Sequence, residues 1–322
     1  VGVNFFKNWI RDWPVWWSEQ SSFRKYFPAF FVVLYPLALH ALHSLREDHL
    51  QICAAIFVLS YGGRPLAPVL SFLLPLISVG VVYDSQRFYE DYIRGPIHVS
   101  EPYNFDKKFF GIATAQGVLT PNEWFQLHTY WLLDLITGFM YLFFIAIYTS
   151  FSAYLFFWVT RKDTPKLPAK VARASAGRMM WSFFWLNVIG YSTYYWYAAA
   201  PPWYVAQYGL GPANLSALPS PAGCLRFDAL LGVHVFAGMY SKSADVFGAI
   251  PSLHVSYPLL AVYYAFKLGT GRAFALGFYL LMCFSAVYLN HHYILDILWG
   301  SAYALLVATV MEKIAQRQTL KK

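Results

Sequence analysis

Three side chains have the types and spacing to act as a chemical set. His254 closes the run Gly-Ala-Ile-Pro-Ser-Leu-His, and His292 and Asp296 bracket His-Tyr-Ile-Leu-Asp. The last two are four residues apart, which puts them on one face of a helix. An imidazole that donates one ring N–H to a carboxylate is held in one tautomer, and its other nitrogen becomes the better nucleophile. That role falls to His292, with Asp296 as its orienting partner. A second imidazole, His254, has an ordinary pKa near working pH and can protonate a departing alkoxide, then deprotonate an incoming hydroxyl. The set suits in-line displacement at phosphorus through a phosphohistidine. Ser252, with Gly248 and Pro251 shaping the turn before it, sits where a helix would begin, and its hydroxyl and the helix-start N–H groups are suited to phosphoryl oxygens. The set needs no metal and no cofactor.

The elements that must position these residues are membrane helices. Of 322 residues, 58% are hydrophobic and only 12% charged, with 28 Phe, 25 Tyr and 12 Trp, which excludes an ordinary soluble domain. Apolar runs predict helices over about 26–43, 47–62, 66–83, 134–159, 173–197, 253–267, 272–290 and 293–313, against a need for about 20 residues per span. The fold class expected is all-α, a polytopic helical bundle of about eight spans in one membrane domain, 1–322. It divides into N-terminal helices (1–83), an extracytoplasmic loop (84–133) and a helical core (134–322) with a long loop at 198–252. Gly62, Gly63, Arg64 and Pro65 form either a tight loop between two spans or a kink in one. Residues 4–25 carry no secretory signal pattern, since charges and Pro14 break them before any apolar stretch.

Basic residues set the orientation. Arg161 to Arg173, Lys267 to Arg272 and the tail from Lys313 to Lys322 are expected on the cytoplasmic side, as is the N-terminus with Lys7, Arg11, Arg24 and Lys25. The segments 84–133 and 198–252 then lie on the extracytoplasmic side, and the second runs into His254. The net charge of +8 belongs to these short inter-helix segments and to anionic headgroups, not to nucleic acid. Cys53, Cys224 and Cys283 are too scattered for a disulfide framework. His40 and His43, three apart, lack a matching haem partner and are read as packing residues, and His291 as structural.

Pro-Ser-x-His followed by His-x-x-x-Asp resembles the two-part signature of the type 2 phosphatidic acid phosphatase superfamily. Around it, Ala199 to Tyr204, Tyr208 to Leu210, Ser220 to Val233, Phe247 to His254 and Tyr288 to Asp296 resemble the catalytic subunit of fungal inositol phosphorylceramide synthase over roughly 195–313, and Arg94 to Val99 is a weaker echo of that family's first extracytoplasmic loop. The resemblance implies a six-helix core and transfer of phosphoinositol from phosphatidylinositol to ceramide, with release of diacylglycerol, on the Golgi lumenal or periplasmic face. It also implies that His254, His292 and Asp296 form the catalytic triad. The wider superfamily has Arg six residues before the second histidine, where this chain has Ala286, and its upstream phosphate clamp has no counterpart here. The fungal branch lacks that Arg too, which favours a transferase, and Arg226 and Arg94 become candidates for phosphate contacts. A short C-terminal tail leaves a bacterial relative with another head group or acceptor open. Two rival readings remain: a lipid phosphate phosphatase, in which water resolves the intermediate, and a transporter with intramembrane charges, against which stands the clustering of the trio at helix starts. An accessory subunit is not readable from these residues.

Overall fold

The structure, a computed structural model, describes residues 2–89, 93–115, 117–161, 168–241 and 246–320. The helices are α1 Gly2–Ser18, α2 Ser22–Ala41, α3 Glu47–Tyr61, α4 Ala67–Ser85, α5 Ser100–Phe110, α6 Pro121–Leu127, α7 Trp131–Ala153, α8 Ala169–Trp196, α9 Pro202–Tyr208, α10 Cys224–Leu231, α11 Val235–Tyr240, α12 Leu253–Leu268, α13 Arg272–Tyr288 and α14 Ile294–Leu320. Short strands β1 Ile97–His98, β2 Ile112–Thr114, β3 Gly117–Leu119 and β4 Ala198–Ala199 lie between them. Each of the eight apolar runs is a helix. Between α3 and α4 the Gly62–Leu66 stretch is a loop, not a kink, because the Gly63 backbone adopts a φ of +81° that favours glycine. Ala67–Phe88, Trp131–Trp158 and Ile294–Gln318 are long and apolar enough to cross a bilayer among the described residues. Of the basic segment expected on the cytoplasmic side, residues 162–167 lie outside the described residues.

The chain divides into two compact units, Val1–Ser78 and Val79–Lys322. In the first, Tyr61 joins three segments: its hydroxyl donates to Lys25 O (2.8 Å) and accepts from Ala29 N (3.0 Å), and its carbonyl accepts from Trp13 Nε1 (2.7 Å). In the second, α7, α8, α12, α13 and α14 pack on one another around buried aromatic and aliphatic side chains. Tyr148, Tyr264 and Phe183 are fully buried there, and the hydroxyls find partners, as buried phenols must. Tyr148 donates to Met179 O (3.1 Å), and Tyr264 shares a hydrogen bond with Ser182 (3.0 Å).

The two long segments expected as loops are more ordered than that expectation. Thr-Pro-Asn-Glu opens α6 as a capping box, with Pro121 at the first helical position. β1 pairs in parallel with β4, and Ala199 bridges onward to Gly248. Ala199 N donates to Phe247 O (2.7 Å), and Ala249 N to Ala199 O (3.2 Å). Three stretches distant in sequence are thus tied together next to His254.

α12 and α14 approach closely at Gly300, where an added Cβ would lie 2.4 Å from Ser252 O and 2.8 Å from Ser256 Oγ. That oxygen belongs to the residue opening α12. Gly300→Ala should therefore push the two helices apart, lowering the Tm of the detergent-solubilised protein by several degrees through overpacking of about 1–3 kcal/mol. An unchanged Tm would mean the contact has slack.

Candidate active site

His292 lies two residues before the start of α14, not on it. The expected helix register begins later, because the turn is closed by carboxylates. Asp296, in the first turn, reaches back so that its Oδ2 accepts from Tyr293 N (2.9 Å), the geometry of a capping box's return arm. The same oxygen lies 3.3 Å from His292 Nδ1, and Ala249 O lies 3.1 Å from that nitrogen. Two acceptors on one ring nitrogen require it to carry the proton. His292 Nε2 then holds the lone pair, and it faces His254 Nδ1 at 3.1 Å, so the His254 nitrogen is the donor. The four-residue spacing does bring His292 and Asp296 together, and a stretch 38 residues upstream delivers His254 to them.

Packing fixes the rings. The Tyr141 ring is sandwiched between His254 (centroids 4.6 Å apart, 18° between planes) and His291 (5.0 Å, 19°), and Phe144 lies 4.7 Å from His254. His291 is committed to structure, with Nε2 3.1 Å from Pro221 O and 3.4 Å from Cys224 Sγ. His292 and Asp296 are buried. Burial pushes the His292 imidazole down to about 4, so it is neutral at physiological pH, the form that can act as a nucleophile.

Ser252 caps α12 by position, yet its hydroxyl makes no capping bond. Its backbone N–H donates to Asp296 O (3.0 Å), so that N–H is already committed. The Ser252 hydroxyl, the Tyr141 hydroxyl and Asp296 Oδ1 are all buried without a hydrogen-bond partner in the protein. Each such group is costly unless satisfied, by about 1–3 kcal/mol, and all three belong to residues that build or pack against the imidazole pair.

The structure places the two arginines differently. Arg226, on α10, donates through Nε to Asp134 Oδ1 (2.6 Å), through one terminal nitrogen to Gln126 Oε1 (2.9 Å) and through the other to Tyr288 O (3.3 Å). Tyr288 OH also donates to Asp134 Oδ1 (2.9 Å). Arg226 therefore neutralises a carboxylate inside α7, and any phosphate contact would draw on its remaining N–H groups. Arg94 lies over the Phe247 ring, 5.6 Å from its centroid, one residue before Gly248. Gly248 itself is held in its bridge to Ala199.

Sequence reasoning missed two residues that hold the His292 turn. Asn122 Nδ2 donates to His292 O and Val287 O, both at 3.0 Å. Asp106 accepts from Ile294 N and Leu295 N. Nothing local marks either, since both lie in the first long segment far from the motifs.

A family model described as the PAP2 superfamily matches residues 118–310. The chain is 34% identical over 279 residues, 85% of its length and 87% of the relative's, to the phosphoinositol dihydroceramide synthase of Bacteroides thetaiotaomicron. It is 34% identical over 134 residues to the inositol phosphorylceramide synthase catalytic subunit of Schizosaccharomyces pombe, covering 41% of this chain and 32% of that one. With the inositol phosphorylceramide synthase of Candida albicans it shares 37% identity over 127 residues, covering 39% and 27%. The matches to these two fungal proteins thus span about a third or less of their length. No solved structure gives a significant match.

Arg226→Gln should lower Tm, because it strands Asp134, and the double variant with Asp134→Asn should restore most of that loss, since removing both charges removes the penalty. If Arg226 also touches phosphate, the double variant will recover Tm but keep a raised KM. Full recovery of both would assign Arg226 to structure alone.

Proposed function

The chain belongs to the PAP2 superfamily, and from that premise we propose that it is an integral membrane phosphotransferase moving phosphoinositol from phosphatidylinositol to the primary hydroxyl of a ceramide or dihydroceramide, with diacylglycerol released. The observation that carries the chemistry is the single proton arrangement across Asp296, His292 and His254. Likeness to the Bacteroides enzyme over most of both chains supports the substrates.

His292 Nε2 attacks phosphorus in line with the ester oxygen of diacylglycerol. As the P–O bond breaks, His254 Nδ1–H passes its proton to that oxygen and diacylglycerol leaves. The phosphorylated imidazole still carries its Nδ1 proton and so bears positive charge, which the Asp296 carboxylate and the Ala249 carbonyl offset. In the second half, His254 Nδ1 takes the proton of the ceramide hydroxyl, whose oxygen attacks phosphorus. The N–P bond breaks and both imidazoles return to their first state. The 3.1 Å between the two nitrogens leaves no room for a phosphoryl group, so substrate entry must first part the pair. Ser252 Oγ and the N-terminus of α12 are the proposed phosphoryl contacts, with Gly248 allowing close approach and Arg94 and Arg226 at its margins.

Eight spans in one membrane domain are the reading we adopt, with a six-helix core of α4, α7, α8, α12, α13 and α14. The Tyr83 ring, near the end of α4, lies 5.8 Å from the Tyr191 ring at 48° between planes, which supports including α4. His254 opens α12 and Lys267 ends it, and Asp296 and Glu312 are similarly placed on α14, about 24 Å apart at 1.5 Å per residue. Lys267 (3.2 Å) and Arg178 (2.8 Å) pair with Glu312 at that far end. The basic end faces the cytoplasm under the positive-inside rule, which puts both termini there and the triad on the lumenal or periplasmic face.

Purified protein given phosphatidylinositol labelled in the inositol ring should convert it to labelled ceramide phosphoinositol only when ceramide is present. Label appearing solely as free inositol phosphate would replace transfer by hydrolysis. His292→Ala should abolish turnover in protein that still folds and expresses, and Asp296→Asn should be nearly as severe. Retained activity in His292→Ala would remove the nucleophile assignment.

A further inference from the structure

The N-terminus of α14 is held by a carboxylate from another part of the chain. Asp106, on α5 in the first long segment, is fully buried. Its Oδ2 accepts from Ile294 N at 2.7 Å, and its Oδ1 from Leu295 N at 3.0 Å. These are the first two N–H groups of α14, the kind that a helix leaves without internal partners. They also belong to residues lying between His292 and Asp296. Tyr293 N is taken by Asp296 itself, so three consecutive N–H groups end on carboxylates. A phosphoryl group gains nothing at this helix start, where negative charge already stands, and it is directed to α12 instead.

We propose that Asp106 is a positioning residue for phosphoryl transfer: by gripping the backbone of Ile294 and Leu295 with both oxygens, it holds the turn that keeps His292 Nδ1 within reach of Asp296 and Ala249 O. This rests on His292 being the nucleophile. Pivoting that turn swings the imidazole, and displacement of a reacting group by an ångström costs about 100-fold in rate.

The grip depends on ionisation. Burial pushes the Asp106 carboxyl up to about 6, against the two backbone N–H groups that favour its anion. The neighbouring titratable groups are Asp296 and Tyr293 at the start of α14, Tyr103 and Lys107 on α5, and Glu123 on α6. Asp296 opposes ionisation of Asp106, and Lys107 is turned to the Tyr103 hydroxyl (3.1 Å). Above pH 6 the anion accepts two N–H groups. As pH falls through that value a proton occupies one oxygen, and the charge-assisted grip on the two N–H groups gives way to weaker bonds to a neutral carboxyl. His292, down near 4, remains neutral through this window and cannot itself produce a loss of rate there.

The test is kcat and KM of the full-length protein in lipid–detergent micelles from pH 5 to 8, for the wild type and Asp106→Asn, with Tm of each. The wild type should lose kcat below pH 7 with a midpoint near 6. Asp106→Asn keeps one acceptor and turns an amide N–H toward the other donor. It should lower kcat about 10- to 100-fold with KM within about twofold, and its kcat should be flat between pH 5 and 7. A raised KM with kcat intact, or an acid limb that persists in the variant, overturns the proposal. If the variant does not fold, the wild-type profile decides alone, and a flat kcat from pH 5 to 7 overturns it. Breakdown of phosphatidylinositol to any product reads out the same first step, so a wild type that hydrolyses without transferring counts against the proposed acceptor and leaves this test in force. If His292→Ala keeps its activity, the nucleophile assignment fails and this proposal with it.

Discussion

The proposed chemistry depends on where one proton sits. His292 Nδ1 faces two acceptors, Ala249 O at 3.1 Å and Asp296 Oδ2 at 3.3 Å, and neither tolerates a lone pair opposite it. The proton is therefore confined to Nδ1, and Nε2 is left as a base in a buried, weakly screening setting. Each acceptor is in turn held by something remote. Ala249 is fixed by the bridge from β4, which is itself paired with β1. Asp296 is fixed by its own helix start, and Asn122 anchors the His292 carbonyl from α6. The long segments on that side of the bundle work as a frame for one ring nitrogen.

The distribution of charge within the core follows from the same reluctance to leave polar groups unpaired in an apolar medium. Asp134 in α7 meets Arg226 and the Tyr288 hydroxyl. Glu312 in α14 meets Arg178, Lys267 and the Ser175 hydroxyl (3.1 Å). The Ser252 hydroxyl, the Tyr141 hydroxyl and Asp296 Oδ1 are among the buried polar atoms left without a partner, as are Thr149 Oγ1 and Arg178 Nε elsewhere. The Ser252, Tyr141 and Asp296 atoms belong to residues around the imidazoles, where a phosphodiester would supply acceptors for the two hydroxyls.

The apolar helices were legible because hydropathy and length record what a bilayer demands. The run expected over 253–267 is Leu253–Leu268, and that over 173–197 is Ala169–Trp196. The Pro-Ser-Leu-His and His-His-Tyr-Ile-Leu-Asp motifs were legible because type and spacing are local properties. What escaped was non-local. Asp106 acts on Ile294 from 188 residues away, and no periodicity announces such a pairing. Arg226 was legible as a candidate phosphate contact but not as the partner of Asp134, because the 198–252 segment read as loop although it contains α9, α10 and α11. The start of α14, expected at 293, falls at Ile294, and a carboxylate from α5 and another from Asp296 hold that helix start.

The tie between β1, β4 and Gly248, together with the reach of α5 to α14, bears on the order in which the molecule can become active during its synthesis. The first long segment is made early and must wait, with its acidic side chain unmatched, until α14 leaves the ribosome and is inserted. Every intermediate length lacks either the nucleophile or the scaffold that orients it. Under the proposed chemistry, a chain halted before α14 is silent toward the surrounding phospholipids, and reactivity arrives in one step with that helix.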